Sequence, residues 1–414
     1  MGRVTGATIV AAASGYLVLV LAARDLGATG YGVFAVFWAA YGMVTGTQNG
    51  QLQETARAVA GGDRNGGDRD GGRPVRVNAA IGLGLAAVVA LSSPLWATHL
   101  FADDTWLSVG LLTAGVAGFA MYAHLSGVLS GSGRWPVFAA LLCVDALIRL
   151  AAAVVATVAG WGLPAFLTIT VLGTLSWIVI VCGSSSARDA MGLPGDAGDR
   201  ALTVNTLTAM AAAAAAAVLV MGFPVLINLT RHHGDAADVR GAIILAVTLT
   251  RAPLLVPLNS FQGVLITRFV AARDHLARAV AVPVGAVAAI ALVGAGLAWV
   301  IGPWLLTSVF GADFELSGAA LAGFTVGAGS LGVLTVTGAA TISADLHRWY
   351  AGGWWVATAA SVLLLTVPAG QVTRVTLALV VGPLIGVAVH VAGQSPLRSG
   401  RSHVAGPGRD ADAR

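Results

Sequence analysis

The sequence contains no lysine; all 23 of its basic residues are arginine. Charge of either sign is scarce, at 10% of 414 residues, while 57% are hydrophobic and the mean hydropathy is +0.83. A soluble domain carries roughly 25% charged residues. So little charge excludes a water-soluble globule of this length and points to a chain whose surface faces lipid. Cysteine is nearly absent. Cys143 and Cys182 lie inside apolar stretches, with neither metal-ligand spacing nor a disulfide framework. Long polar segments are missing too. The widest breaks, 60–76 and 184–200, are Gly-, Asp- and Arg-rich loops, too short to hold a soluble catalytic domain. The lack of lysine beside 54 glycines and abundant alanine reads as the product of a GC-rich bacterial genome. The pI of 9.6 therefore does not point to nucleic acid, because the arginines flank apolar segments.

What is there is apolar helix. A bilayer core about 30 Å thick needs about 20 apolar residues in a helix. Twelve segments reach or approach that length: 4–23, 31–47, 77–97, 106–129, 136–159, 163–182, 203–229, 241–266, 279–301, 316–342, 349–367 and 372–391. The first follows Arg3 but is long for a signal-peptide core, and another apolar segment comes within ten residues, so it reads as a retained helix. With the N-terminus in the cytoplasm, 17 arginines fall inside and only Arg24, Arg231, Arg240 and Arg374 outside, while Arg149 and Arg251 lie within helices. That bias follows the positive-inside rule and puts both termini in the cytoplasm.

The chain also repeats. Trp96 to Asp103, with Phe101 between, is matched by Trp304 to Asp313, with Phe310 between. Each acidic turn leads to a glycine-rich helix, a loop ending in Arg134-Trp135 or Arg348-Trp349, and another helix. This predicts an all-α integral membrane protein of twelve transmembrane helices, in two parallel six-helix halves around a central cavity. The expected divisions are an N-terminal half at 1–185, a cytoplasmic linker at 186–202, a C-terminal half at 203–394 and a disordered tail at 395–414.

Three stretches carry a family resemblance. Arg24-Asp25-Leu26-Gly27-Ala28-Thr29-Gly30-Tyr31-Gly32-Val33-Phe34 resembles the signature after the first helix of polysaccharide-exporting flippases. These form a branch of the multidrug/oligosaccharidyl-lipid/polysaccharide (MOP) superfamily. In that signature Gly27 is suited to end a helix and Gly32 to let the chain turn back tightly. The turn Phe310-Gly311-Ala312-Asp313-Phe314 is similar to the family's turn after the ninth helix, and 228–241 to the loop joining its seventh and eighth helices. The resemblance implies alternating-access flipping of a lipid-linked oligosaccharide or polysaccharide precursor across the bacterial cytoplasmic membrane. It implies a transporter rather than an enzyme, with no cofactor. Its partners would be the lipid-linked glycan, membrane lipids and glycan polymerase or assembly proteins. Other members extrude drugs by ion antiport, and that alternative stays open. A membrane glycosyltransferase would want a long extracytoplasmic loop with paired acids. Asp103-Asp104 sits in a loop of under ten residues.

Polar side chains inside a bilayer are costly and mark functional positions. The second helix turns polar at its end, with Thr47, Gln48, Gln51 and Glu54. Thr47, Gln51 and Glu54 share a face, as a substrate-cavity wall binding sugar hydroxyls or as a helix end emerging into water. Arg251 and Gln262 return to nearly the same face of the eighth helix, with Pro253 and Pro257 between them. A buried arginine suits a pyrophosphate-linked lipid, and broken helices often line transport sites. Asp145 and Arg149 stand at i, i+4 in the fifth helix. That spacing makes a neutralising pair, a coupling-ion site at Asp145 or a second cationic contact at Arg149. Gly82-Leu83-Gly84 mimics a dinucleotide fingerprint but has no strand before it. The run 211–217 of alanines reads as a close-packing helix face.

Overall fold

Glycine and proline punctuate an otherwise helical chain. The computed structural model describes residues 2–64, 72–101, 104–272, 275–344 and 346–399. Helices α1 (2–26) and α2 (28–64) meet at Gly27, whose φ of 62° lies in the left-handed region that favours glycine. Gly32 has a different part from the tight turn expected. It lies inside α2, and a Cβ there would sit 3.3 Å from Gly241 Cα, so its bare backbone admits a neighbouring helix. Next come α3 (Pro74–Leu100), α4 (Thr105–Gly131), α5 (Trp135–Ala159) and α6 (Gly162–Gly183). α3 opens on a proline, whose missing N–H has no partner at a helix start anyway. α5 stops at Gly160, φ 65°. α6 tightens into a 3₁₀ turn at Gly173–Leu175.

A short helix, Ser185–Met191, follows, its first turn capped by Ser184 Oγ accepting from the Ala187 N–H at 3.3 Å. α7 runs over Asp199–Val220 and resumes as Phe223–Leu229. The remainder are α8 (Ala237–Ala271), α9 (Leu276–Phe310), α10 (Gly318–Ser343), α11 (His347–Leu365) and α12 (Gln371–Ser399). Twelve long helices are thus present among the described residues. Leu91, Leu95, Val158 and Val300 are each more than three-quarters exposed. With so many apolar side chains turned outward on helices long enough to span a bilayer, this is a multi-pass membrane protein.

The chain forms two compact units, Met1–Ala246 with Pro303–Leu316, and Val247–Gly302 with Ser317–Arg414. This differs from a division at a 186–202 linker, because α7 packs with the first unit. The reason is a glycine stripe on α2. Gly42, Gly46 and Gly50 recur each turn, and a Cβ on Gly50 would lie 2.5 Å from Met210 Cα. One on Gly46 would lie 2.9 Å from Ala217 Cβ, so α7 rests directly on the α2 backbone. Arg57, near the end of α2, bonds Glu54 at 2.6 Å and Asp196 at 2.8 Å, which ties the 186–202 segment to the same unit.

The turn after α9 also belongs to the first unit. Arg24 Nε donates to Val309 O at 2.6 Å, and the Phe314 ring meets Tyr31 edge-on at 5.9 Å. Two of the stretches that carry the family resemblance therefore pack against each other. In the second unit, glycine-rich α10 is mostly buried. His390 of α12 there contacts Thr337 Oγ1 at 3.1 Å and Tyr350 O at 3.2 Å. The repeat is visible in helix order. Phe101 follows α3 and Phe310 ends α9, while Trp135 and Trp349 stand in the first turns of α5 and α11, each 43% exposed.

Candidate functional site

Three helices of the first unit turn one face each toward a common cavity of about 310 Å³. α2 contributes Trp38, Tyr41, Thr45, Asn49 and Leu52; α4 contributes Phe119, Tyr122 and Ser126; α5 contributes Phe138, Leu142, Asp145 and Arg149. The spacings of three and four are those of single helical faces. Thr170 of α6 completes the wall. The lining is aromatic and hydroxyl-rich around one ion pair, a pattern common to ligand pockets.

That pair is Arg149 Nη2 donating to Asp145 Oδ1 at 2.8 Å, with side chains 20% and 16% exposed. The guanidinium carbon lies 6.0 Å from the Trp38 ring centroid, within cation–π range. Gly173 makes room for it. A Cβ there would sit 2.8 Å from Arg149 Cζ and overlap both Arg149 Nε and Asp145 Oδ1. Arg149 Nε is buried with no hydrogen-bond partner among the described residues. The carboxylate thus neutralises the charge of the arginine without using all of its donors.

The other candidates lie elsewhere. Gln48 is fully buried and its Nε2 donates to Val116 O at 3.0 Å. Gln51 Nε2 donates to Asn78 O at 3.3 Å, and Asn78 Nδ2 donates to Thr55 Oγ1 at 2.7 Å. Asn78 also meets His124 Nδ1 at 3.3 Å, and His124 Nε2 lies 3.1 Å from Met191 O. These contacts join α2, α3, α4 and the short helix. Glu54 is held by Arg57 through both of its oxygens. On α2 it is therefore the Thr45–Asn49–Leu52 face that lines the cavity, while Gln48, Gln51 and Glu54 bond within helix contacts. Arg251 is buried on α8 in the second unit. Gln262 lies further along α8, and its side chain falls outside the described residues, as does the 400–414 part of the expected tail. Among the described residues no group of three His, Cys, Asp or Glu side chains has metal-binding placement. Sequence reasoning missed Gly173, Trp38 and Asn49. Only Asn49 left a trace, as one of the run of polar residues at the end of the second helix.

No protein-family model matches the chain. The uncharacterized protein Rv3630 of Mycobacterium tuberculosis (strain ATCC 25618 / H37Rv) is 44% identical over 393 residues, 94% of this chain and 91% of that one. The uncharacterized protein Rv1510 of the same strain is 46% identical over 403 residues, 95% and 90% of the two chains. The chain belongs to the Rv3630 and Rv1510 family. The fold of this chain matches solved MATE transporter structures. A multidrug resistance MATE family transporter of the MOP superfamily, solved in an inward-facing conformation, matches with a TM-score of 0.77 at 12% identity. The match covers 95% of this chain and 96% of that one. An outward-facing structure of a MATE family transporter matches with a TM-score of 0.66 at 14% identity, over 96% and 95% of the two chains.

Proposed function

We propose that this protein is an alternating-access transporter flipping a lipid-linked oligosaccharide or polysaccharide precursor across the bacterial cytoplasmic membrane. The observation that carries the reading is the Arg149 site. Asp145 pairs with Arg149 through Nη2 at 2.8 Å, and the Arg149 side chain, still 20% exposed, lines a cavity with Trp38, Tyr122 and Thr170. Surplus donors in an apolar site favour an anionic ligand, and a guanidinium matches phosphate oxygens. The aromatic and hydroxyl walls suit sugar rings. In the second unit, buried Arg251 and Gln262 on the same helix are that unit's own candidate contacts for the cargo. The fold supports transport as such, because MOP-superfamily transporters share it.

A second reading is an ion-coupled exporter of drugs or other small molecules. Asp145 favours it, as an acid inside a cavity of the first unit. Proteoliposomes separate the two. With a fluorescent polyprenyl-pyrophosphate-linked glycan, the wild type should translocate label, and Arg149→Gln should lower the rate about tenfold, one bidentate charged contact. Arg149→Lys should keep part of it. Efflux of a cationic dye driven by a proton gradient, lost in Asp145→Asn and with no glycan movement by the wild type, would refute the flippase reading.

A further inference from the structure

A second cavity lies in the first unit, apart from the Asp145–Arg149 pair. It measures about 150 Å³ and opens where the loop between α7 and α8 meets the start of α2 and the end of α3. Its walls include Thr29, Gly32, Asn228, Arg231 and Arg240. Asn228 is buried and its Nδ2 donates to Leu100 O at 3.0 Å, which fixes one wall. The opposite wall is fixed by bare backbone. A Cβ on Gly241 would lie 2.8 Å from Ala28 C and overlap Ala28 O. The start of α8 is therefore pinned against the α1–α2 junction, and Arg240, the residue before Gly241, is held at the cavity.

Two arginines thus border one small space, Arg231 exposed and Arg240 half-buried. Asp235 is near enough to act electrostatically on Arg240, and so is Arg231. Asp235, which stands between them in sequence, accepts from the His232 N–H at 2.8 Å. Burial holds the Arg240 guanidinium below its ordinary value, Arg231 adds to that shift, and Asp235 opposes it. Like charges crowded into a partly dry cavity are relieved by a multivalent anion. Guanidinium groups also bind phosphate oxygens in pairs, where ammonium does not.

We infer that this cavity is a phosphate-binding site, with Arg231 and Arg240 as the paired ligands of one phosphate group. The phosphate is either that of a lipid headgroup reaching in from the bilayer or a free phosphate from solution. The site goes beyond the transport reading and stands whatever the cargo is. On the topology that the arginine bias predicts, the site lies on the extracytoplasmic side, where a flipped lipid pyrophosphate would arrive.

The test labels the full-length wild-type protein with phenylglyoxal, which modifies accessible guanidinium groups, and reads each arginine by peptide mass spectrometry. In detergent, inorganic phosphate at about nine times its Kd should slow modification of Arg231 and Arg240 about tenfold relative to chloride at equal ionic strength, by mass action. Arg3 serves as the unprotected control. Protection by inorganic phosphate identifies a site open to free phosphate. Protection in vesicles containing phosphatidic acid, but neither by inorganic phosphate nor in phosphatidylcholine vesicles, identifies a lipid headgroup. Unchanged rates under all these conditions overturn the proposal. Phosphate binding by an inserted Arg231→Gln/Arg240→Gln double variant equal to that of the wild type overturns it as well. Because labelling needs no flux, protected arginines in a protein that moves no glycan would refute the flippase reading alone.

Discussion

Placing one methyl group on Gly173 tests the cavity more directly than removing its charges. The added Cβ of Gly173→Ala would lie 2.8 Å from Arg149 Cζ and overlap Arg149 Nε and Asp145 Oδ1. Carbon contacts relax only near 3.5 Å, so Cζ must retreat by about 0.7 Å and the overlapped Nε by more. Asp145 Oδ1 must move as well, so the 2.8 Å bond between the two cannot keep its present geometry. Overpacking of this kind costs typically 1–3 kcal/mol, and uncoupling a buried ion pair costs several more when one partner is stranded. Alanine returns at most about 1 kcal/mol in helix propensity. A net loss of about 3–7 kcal/mol is expected, read as a lowered unfolding temperature of the detergent-solubilised protein. The decisive comparison is the Asp145→Ala/Arg149→Ala background, which removes the three atoms nearest the new methyl. There Gly173→Ala should cost nothing measurable. An equal loss in both backgrounds would refute the argument and mean that the 3₁₀ turn of α6, not the ion pair, requires glycine.

The α2–α7 contact makes a ranking prediction. Gly50→Ala should destabilise more than Gly46→Ala, because the first meets the Met210 backbone and the second only the Ala217 methyl. Equal losses would contradict direct backbone contact. Arg251→Gln should abolish export while membrane insertion stays normal, and Arg251→Lys should retain some, measured as glycan export per inserted protein. Normal export by well-inserted Arg251→Gln removes this residue from the substrate path. A cysteine placed at Gly66, in a protein lacking Cys143 and Cys182, should label from outside only after permeabilisation; labelling in intact cells would invert the topology. Asp196→Asn should cost under about 1 kcal/mol, and less in high salt, because Arg57 is half exposed.

Helix number, membrane class and the repeat were legible in the chain because they depend on length and on hydropathy summed over some 20 residues. Neither quantity needs a neighbour to be known. The Asp145–Arg149 pair was legible for the same reason, since i, i+4 spacing is local to one helix. What lay beyond reach was which face of each helix meets which partner. On α2, Gln48, Gln51 and Glu54 carry the conspicuous polarity. They bond to Val116, Asn78 and Arg57, while the next face, with Thr45 and Asn49, lines the cavity. Lipid-facing and packed faces are almost equally apolar, so periodicity within a membrane helix does not tell them apart. The glycines make the same point. Gly27 announces itself through a local turn. Gly50 and Gly173 matter only because Met210 and Arg149 arrive from other helices, and close approach between helices is settled by three-dimensional packing alone.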